Sequence, residues 1–278
     1  MRIEEAEMRF EDRLPLSAEE KKYESAEYYD RKPREFGKLE NELLEIACPM
    51  PADMAIPAEN WLDILKHIDD PLKMDFGYAM LDDRRGYFVN YLYWNGLDGK
   101  ATQWWYRWIN IKPRTVDGAD GSLHYKIWYP GEHIDHGYIN GKDRSGGYYA
   151  LDYNAAGEVV ETRRFNVNPI EFGIPQEIMD DVKAKGYFID CAWESGEGGL
   201  HLSLNVTHRL SNGDTEKWAH NWIGWGIRDG KLFKDPDAAC TESLLKSSLR
   251  HVNIEGRYLE KLLPELYERF GNQPEDAV

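Results

Sequence analysis

The sequence contains few cysteines and no segment typical of a membrane or secreted protein. Its three cysteines, Cys48, Cys191 and Cys240, are far apart and form no C-x-x-C pair, which argues against a disulfide framework. No apolar run approaches the ~20 residues that a membrane-spanning helix needs. The opening residues, MRIEEAEMRFEDR, lack the apolar core of a signal peptide. We therefore predict a cytoplasmic protein.

Positive charge is also scarce. The chain carries 34 Lys and Arg residues against 50 Asp and Glu residues, which gives a formal net charge of −16. Such a negative field disfavours nucleic acids and anionic membranes as partners. The sequence also lacks the glycine loops of nucleotide-binding proteins, the G-x-S-x-G motif of serine hydrolases and the H-E-x-x-H motif of zinc proteases.

Aromatic residues, by contrast, are abundant. Ten Trp and seventeen Tyr residues can build a core or line a large apolar pocket, and they argue against disorder. The spacing of Trp104, Trp105 and Trp108 predicts a helix that turns these rings into the core. From residue 121 onwards, short runs separated by turn residues predict antiparallel strands, beginning with SLHYKIWYP. A helix is predicted over 238–270.

These elements predict an α+β fold in which a curved antiparallel sheet grips a long C-terminal helix and encloses a cavity. We expect two parts. Residues 1–112 form an N-terminal arm and a small α+β part, and residues 113–278 form the catalytic domain. For the arm, two roles stay open: it caps the pocket, or it mediates a homodimer.

The C-terminal helix carries the pattern that points to chemistry. His251 and Glu255 are four residues apart, on or beside an apolar stripe that includes Val252 and Leu259. A surface ion pair is the ordinary interpretation of such spacing. The apolar stripe turns the pair inward instead, where an unpaired carboxylate is costly. Two ligands of one divalent metal would satisfy both groups.

Further ligands would have to come from the sheet. WYPGEHIDHG offers His133 and His136, and each of them is by default a solvated loop histidine. Asp152 lies within an aromatic strand, which is unusual for a carboxylate without a partner. Four other residues are weaker candidates for ligation, proton transfer or support of the site: Glu158, Glu161, His208 and His220.

At these residues the chain resembles the zinc-dependent carbon–carbon hydrolases that deacylate phloroglucinols, a family that includes diacetylphloroglucinol hydrolase and phloretin hydrolase. The resemblance runs from about residue 70 to 267 and rests on the shared order of five stretches: FGYAML (76–81), WW (104–105), YKIWYPGEH (125–133), NPIEFG (168–173) and HVNIE…LPELY (251–267). It implies a helix-grip domain of the Bet v 1 or START type. It also implies one zinc ion per chain, held by two His and two Glu.

Carried over to this sequence, the resemblance assigns three zinc ligands, His133, His251 and Glu255. The family's fourth ligand is a Glu on the next strand, where this chain departs from the pattern. Asp152 is the best-placed residue there, and Glu161 remains the alternative.

The resemblance also implies three catalytic residues. Tyr125 matches an active-site Tyr of the family, and His136 falls where the family can carry an Asn. His208 matches a histidine of the catalytic cavity. Together they would bind a small aromatic substrate.

The expected reaction is hydrolysis of the bond between the ring and the acyl carbon of an acylated phloroglucinol. Phloretin is the preferred substrate because a long acyl arm suits an aromatic-rich pocket, and diacetylphloroglucinol is second. A different class stays open: a helix-grip protein that binds an aromatic polyketide or flavonoid without changing it.

Overall fold

The computed structural model describes most of the chain, namely residues 15–31, 49–66, 68, 76–97, 99–110, 122–154, 156–228 and 230–272. Cys48 and the predicted boundary at 112/113 lie outside these residues. Within them, no helix has the length and apolarity needed to cross a bilayer. Cys191 and Cys240 are buried thiols without a disulfide.

Eight strands form one antiparallel sheet in the order β1-β2-β8-β7-β6-β5-β4-β3. Their bounds are β1 Gly77–Met80, β2 Gly86–Trp94, β3 His133–Tyr138, β4 Tyr148–Tyr153, β5 Val159–Val167, β6 Tyr187–Gly196, β7 Gly199–Arg209 and β8 Thr215–Ile223. A separate hairpin joins β9 (Trp225–Arg228) to β10 (Lys231–Lys234). Because β2 pairs with β8, the sheet spans the boundary predicted between residues 112 and 113.

The α-helices of the described residues are α1 Asp63–Lys66, α2 Gly99–Trp108, α3 Leu123–Trp128, α4 Pro169–Phe172, α5 Gln176–Ala184 and α6 Glu242–Phe270. α6 begins at Glu242, four residues later than predicted. Its N-cap is Thr241, whose hydroxyl accepts a hydrogen bond from the Leu244 amide at 3.1 Å. α2 confirms the helix predicted around the tryptophans, all three of which are buried.

One predicted element is wrong. The stretch SLHYKIWYP, expected to be a strand, forms α3. Its alternation of large β-forming side chains favours a strand locally, but His124, Tyr125, Lys126 and Ile127 are all buried. A strand with one buried face would bury only alternate residues, whereas here four consecutive residues are buried. The packing around the segment overrides its local preference for a strand.

One face of the sheet, here called the helix-side face, packs against α6. Two glycines allow this close approach. A Cβ on Gly86 would lie 2.4 Å from Leu245 of α6, and a Cβ on Gly256 of α6 would lie 2.3 Å from Leu92 of β2. Both distances are far below a normal contact, so the helix and β2 pack closely only because side chains are missing at these positions.

The opposite face, here called the outer face, carries an apolar cluster. Its sheet residues include Val89, Leu204 and Trp222. Residues 50–65, α4 and α5 cover them, and the Trp61 and Phe172 rings meet edge to face at 5.0 Å within this cover. α5 buries Val182 in this cluster. The two faces of the sheet therefore pack against different elements of the chain.

Residues 15–31 pack against α3 and α6. Glu20 and Lys126 form an ion pair at 2.9 Å whose side chains are 0% and 1% exposed. Ser17 and Glu20 also exchange backbone–side-chain hydrogen bonds in a capping box. Arg269 of α6 pairs with Glu24, which fixes the same segment to the last helix.

Candidate metal centre

Three predicted ligands meet on the helix-side face. His133 opens β3, and His251 and Glu255 lie one turn apart on α6. One donor atom from each lies within 4.8 Å of the others. The Nε2 atoms of His133 and His251 are each 3.6 Å from Oε2 of Glu255, beyond a normal hydrogen bond. Nitrogen and carboxylate donors facing a shared point form a set that zinc prefers.

The imidazole of His133 has one nitrogen occupied and one directed into the centre. Its Nδ1 lies 3.1 Å from the backbone carbonyl oxygen of Tyr125 and can only donate there. Nε2 is therefore the acceptor nitrogen. It is buried and has no hydrogen-bond partner among the described residues. A buried nitrogen lone pair without a partner is costly, and a metal ion would satisfy it.

His251 is held in the same manner by a carboxylate. Its Nδ1 lies 2.8 Å from Oε2 of Glu132, so Nε2 faces Glu255 and the centre. Burial alone would lower the pKa of His251, but the two carboxylates outweigh it and raise that pKa well above its ordinary value. Burial would likewise raise the pKa of Glu255, yet the imidazoles of His133 and His251 bring it to about 2. Without a metal, the charge of His251 is offset by the two carboxylates, whereas the Nε2 of His133 lacks a hydrogen-bond partner among the described residues.

Asp152 lies directly beside this set. It pairs with His133 across β3 and β4, so both side chains lie on the helix-side face. Its Oδ1 accepts a hydrogen bond of 2.9 Å from the hydroxyl of Tyr125. Desolvation raises the pKa of Asp152, opposed by the charges of His133 and His251. Asp152 is not one of the three donors that lie within 4.8 Å of one another, and its ligation stays a prediction.

Glu161, the alternative fourth ligand, is directed elsewhere. It pairs with Leu151 rather than with Asp152, and neighbouring residues of a strand point to opposite faces. Its side chain is 45% exposed and forms an ion pair with Arg163. Glu158, in the turn before β5, is exposed. The register therefore favours Asp152 over Glu161.

Two of the predicted catalytic residues border the centre. The ring of Tyr125 stacks on His133 with centroids 3.8 Å apart, and desolvation followed by the charge of Asp152 raises its pKa well above 10. His136 lies on the same face, with its ring 4.9 Å from that of Tyr125. The Nδ1 of His136 is 2.9 Å from Oδ1 of Asn110.

His208 is not brought to the centre. It follows Leu204 and Val206 at alternate positions of β7 and therefore shares their outer face. Its ring stacks on Tyr187 at 4.1 Å, and its Nδ1 is 3.5 Å from Glu216. His220 is also on the outer face, buried, with its Nδ1 2.8 Å from the Tyr87 hydroxyl. The sheet separates both histidines from His133.

Sequence reasoning missed Glu132 and Arg250. Both are buried, and they form an ion pair of 3.1 Å directly behind His251. A signal was present, since each precedes a predicted ligand in the chain. Neither the period of a strand nor that of a helix indicates that a charged residue beside a ligand is buried with it.

Comparison with known proteins identifies the family. No curated protein matches the chain. A family model described as the DAPG hydrolase PhiG domain matches residues 57–268, a segment that contains the whole donor set and every strand of the sheet. This family implies a hydrolase that acts on the carbon–carbon bonds of ketones. The chain therefore belongs to the DAPG hydrolase family.

Proposed function

We propose that this protein is a zinc-dependent hydrolase that cleaves the aryl–acyl carbon–carbon bond of an acylated phloroglucinol. Phloretin, giving phloroglucinol and phloretate, is the preferred substrate, and diacetylphloroglucinol is the second. One observation carries the proposal: the buried, unpartnered Nε2 of His133 faces His251 and Glu255 in a chain of this family.

The proposed zinc ligands are His133, His251 and Glu255, with Asp152 as the fourth. Bound there, zinc would supply Lewis acidity, which polarises a carbonyl group and lowers the pKa of water to about 7. Fe(II), Mn(II) and Co(II) accept similar donors, so metal analysis belongs to the test. We also propose a helix-grip arrangement, which the eight-stranded sheet packed on α6 is compatible with.

The chemistry demands a proton on the ring carbon that carries the acyl group, because an aryl carbanion is a poor leaving group. A phloroglucinol ring takes up that proton in its keto form. Water then adds to the acyl carbonyl, the bond between the ring and acyl carbons breaks, and its electron pair stays on the ring as an enolate. The other product is the carboxylic acid.

Tyr125 and Asp152 are placed to handle protons in this reaction. The raised pKa of Tyr125 keeps its hydroxyl protonated, and the hydroxyl already donates to Asp152 Oδ1. We propose that the oxygen of Tyr125 accepts a hydrogen bond from a phenolic hydroxyl of the substrate and that His136 assists proton transfer to the ring. His208, on the outer face, is left out of this role.

Aromatic side chains would hold the planar substrate by burial and stacking. Trp128 meets His133 edge to face at 5.0 Å, and Tyr129 lies 5.4 Å from His251. Tyr148 lies 4.7 Å from His136. These rings would surround the donor set and limit the access of water.

The test combines metal analysis with product analysis. Purified wild type should hold about one zinc per chain and convert phloretin to phloroglucinol and phloretate, while H133A should do neither. Diacetylphloroglucinol and a simple aryl ester complete the panel. Cleavage of the ester alone would refute the proposed reaction. A metal-free chain that binds phloretin unchanged would establish the carrier function, which the mutual pairing of His251, Glu132 and Glu255 would permit.

A further inference from the structure

Glu132 is a buried carboxylate that the proposed reaction does not use. It lies just before β3 and is only 3% exposed. Its backbone is fixed on both sides: the Tyr153 amide donates to its carbonyl oxygen at 2.8 Å, and its own amide donates to Tyr129 at 3.3 Å. A carboxylate held this firmly in the interior needs compensating contacts.

Both carboxylate oxygens of Glu132 are occupied. Oε2 lies 2.8 Å from the Nδ1 of His251. Oε1 accepts from the hydroxyl of Tyr129 at 2.9 Å and from Nη1 of Arg250 at 3.1 Å. Arg250 and Tyr129 thus fix the orientation of the carboxylate, which in turn holds the imidazole of His251.

From this geometry we infer that Glu132 is a positioning residue that orients His251 for metal binding. The inference rests on the metal centre of the proposed function. A carboxylate that accepts from Nδ1–H selects the tautomer with its lone pair on Nε2, holds the ring plane and makes the imidazole a stronger donor. His133 receives its own orientation from a neutral carbonyl oxygen instead.

The arrangement of charges supports this role. Arg250 offsets the charge of Glu132, so the supporting carboxylate adds no net charge behind the centre. The start of β3 and α6 each supply one proposed ligand and one supporting residue. The first residue of β3 is the proposed ligand His133 and the residue before it is the support Glu132, while α6 supplies the proposed ligand His251 and the support Arg250. Glu132 thus contacts His251 of α6, and Arg250 of α6 contacts Glu132 in return.

The test measures metal affinity and needs no substrate. Zinc binding to the full chain is followed by competition with a chromophoric chelator for wild type, E132Q and the control E216Q. Glutamine preserves the shape of Glu132 but removes its charge, and we expect zinc affinity to fall about 10- to 100-fold. E216Q makes the same change at a glutamate on the outer face, whose Oε2 lies 3.5 Å from the Nδ1 of His208. Because the sheet separates this pair from the centre, the zinc affinity of E216Q should stay within about threefold of wild type.

Cobalt(II) supplies a spectroscopic readout that a merely structural role would not move. The visible bands of the cobalt-loaded protein should shift in E132Q and stay unchanged in E216Q. Equal zinc affinity of wild type and E132Q, or an equal loss in both variants, would overturn the inference. If wild type binds zinc, E132Q binds it weakly and phloretin is left intact, the proposed reaction fails while the role of Glu132 stands.

Discussion

The two faces of the sheet use the same strands for opposite purposes. On the outer face, Leu204 and Trp222 are fully buried in an apolar cluster that α4, α5 and residues 50–65 cover. On the helix-side face, His133 and Asp152 lie opposite each other, and the buried Nε2 of His133 has no hydrogen-bond partner within the part of the chain that the structure describes. The outer face thus gains stability from burial, whereas the helix-side face accepts buried polar groups that only a ligand would satisfy completely. Substitutions on the two faces should therefore change different properties.

The largest effect is expected on the helix-side face, from H251A. Loss of one of the donors should weaken zinc binding more than about 100-fold, a larger loss than removal of a supporting residue causes. Chelator competition measures this affinity, and cleavage of phloretin should fall with it. Retention of one zinc per chain by H251A would show that the centre lies elsewhere.

The next comparison lies across a single strand pair. D152A should weaken zinc binding about 10- to 100-fold if Asp152 completes the donor set, while E161A should bind zinc as wild type does. Glu161 is the matched control because it is a carboxylate on the adjoining strand, directed to the opposite face. Loss of zinc from E161A but not from D152A would reverse the assignment of the fourth ligand.

An outer-face substitution should separate stability from metal binding. L204A deletes a fully buried side chain within the apolar cluster and should lower the free energy of unfolding by about 2–5 kcal/mol. Urea denaturation measures this loss. At 25 °C the folded variant should still bind one zinc per chain, because the sheet lies between Leu204 and the donors. A change in zinc stoichiometry would show that the two faces are coupled.

The outer face should also give the protein a dependence of stability on pH. Burial lowers the pKa of His220 from 6.5 to about 3. Below pH 6.5 the unfolded chain binds a proton that the folded chain does not. The stability present above pH 6.5 is therefore lost progressively towards pH 3, by about 1.4 kcal/mol per pH unit.

Denaturation of H220N between pH 6 and 5 checks this expectation. As the pH falls, its free energy of unfolding should decrease less steeply than that of wild type, by about 1.4 kcal/mol per pH unit. His124, whose pKa burial also lowers to about 3, remains in the variant and keeps part of the slope. Equal slopes for wild type and H220N would contradict the assignment to His220.

The smallest effect is expected from H208A. Since the imidazole stacks on Tyr187 of the outer face, kcat/KM for phloretin should change less than about threefold. Steady-state kinetics at fixed zinc concentration gives this value, and H136A, on the helix-side face, should lose more. A hundredfold loss in H208A alone would place a catalytic histidine across the sheet.

Sequence reasoning was most successful where a period directs side chains. The 3.6-residue period turned His251 and Glu255 inward on α6, and turn residues separated β4 from β5. It failed at α3, where aromatic and branched residues favour a strand but the neighbouring elements bury the segment from all sides. Local propensity carries no information about what packs around a segment.

The residues of the candidate site also differ in how well the sequence predicted them. The meeting of its three donors was predictable, because the resemblance supplied His133 and the helix supplied His251 and Glu255. His208 was expected in the catalytic cavity but lies on the outer face. A sequence pattern does not fix this register, and a shift of one residue in a strand moves a side chain across the sheet. Glu132 was missed because its burial depends on Arg250, 118 residues away in sequence.

The buried ion pair between Glu20 and Lys126 links the candidate centre to a segment that lies outside the residues matched by the family model. Glu20 precedes residue 57, where the match to the family begins, whereas Lys126 directly follows Tyr125. A chain trimmed to the matched residues would retain an ammonium group in the interior without its counter-charge, at a cost of about 3–5 kcal/mol. Transfer of this centre to a relative would therefore require residues 15–31 as well. Glu20 in that segment offsets the charge of Lys126 on the helix that carries Tyr125.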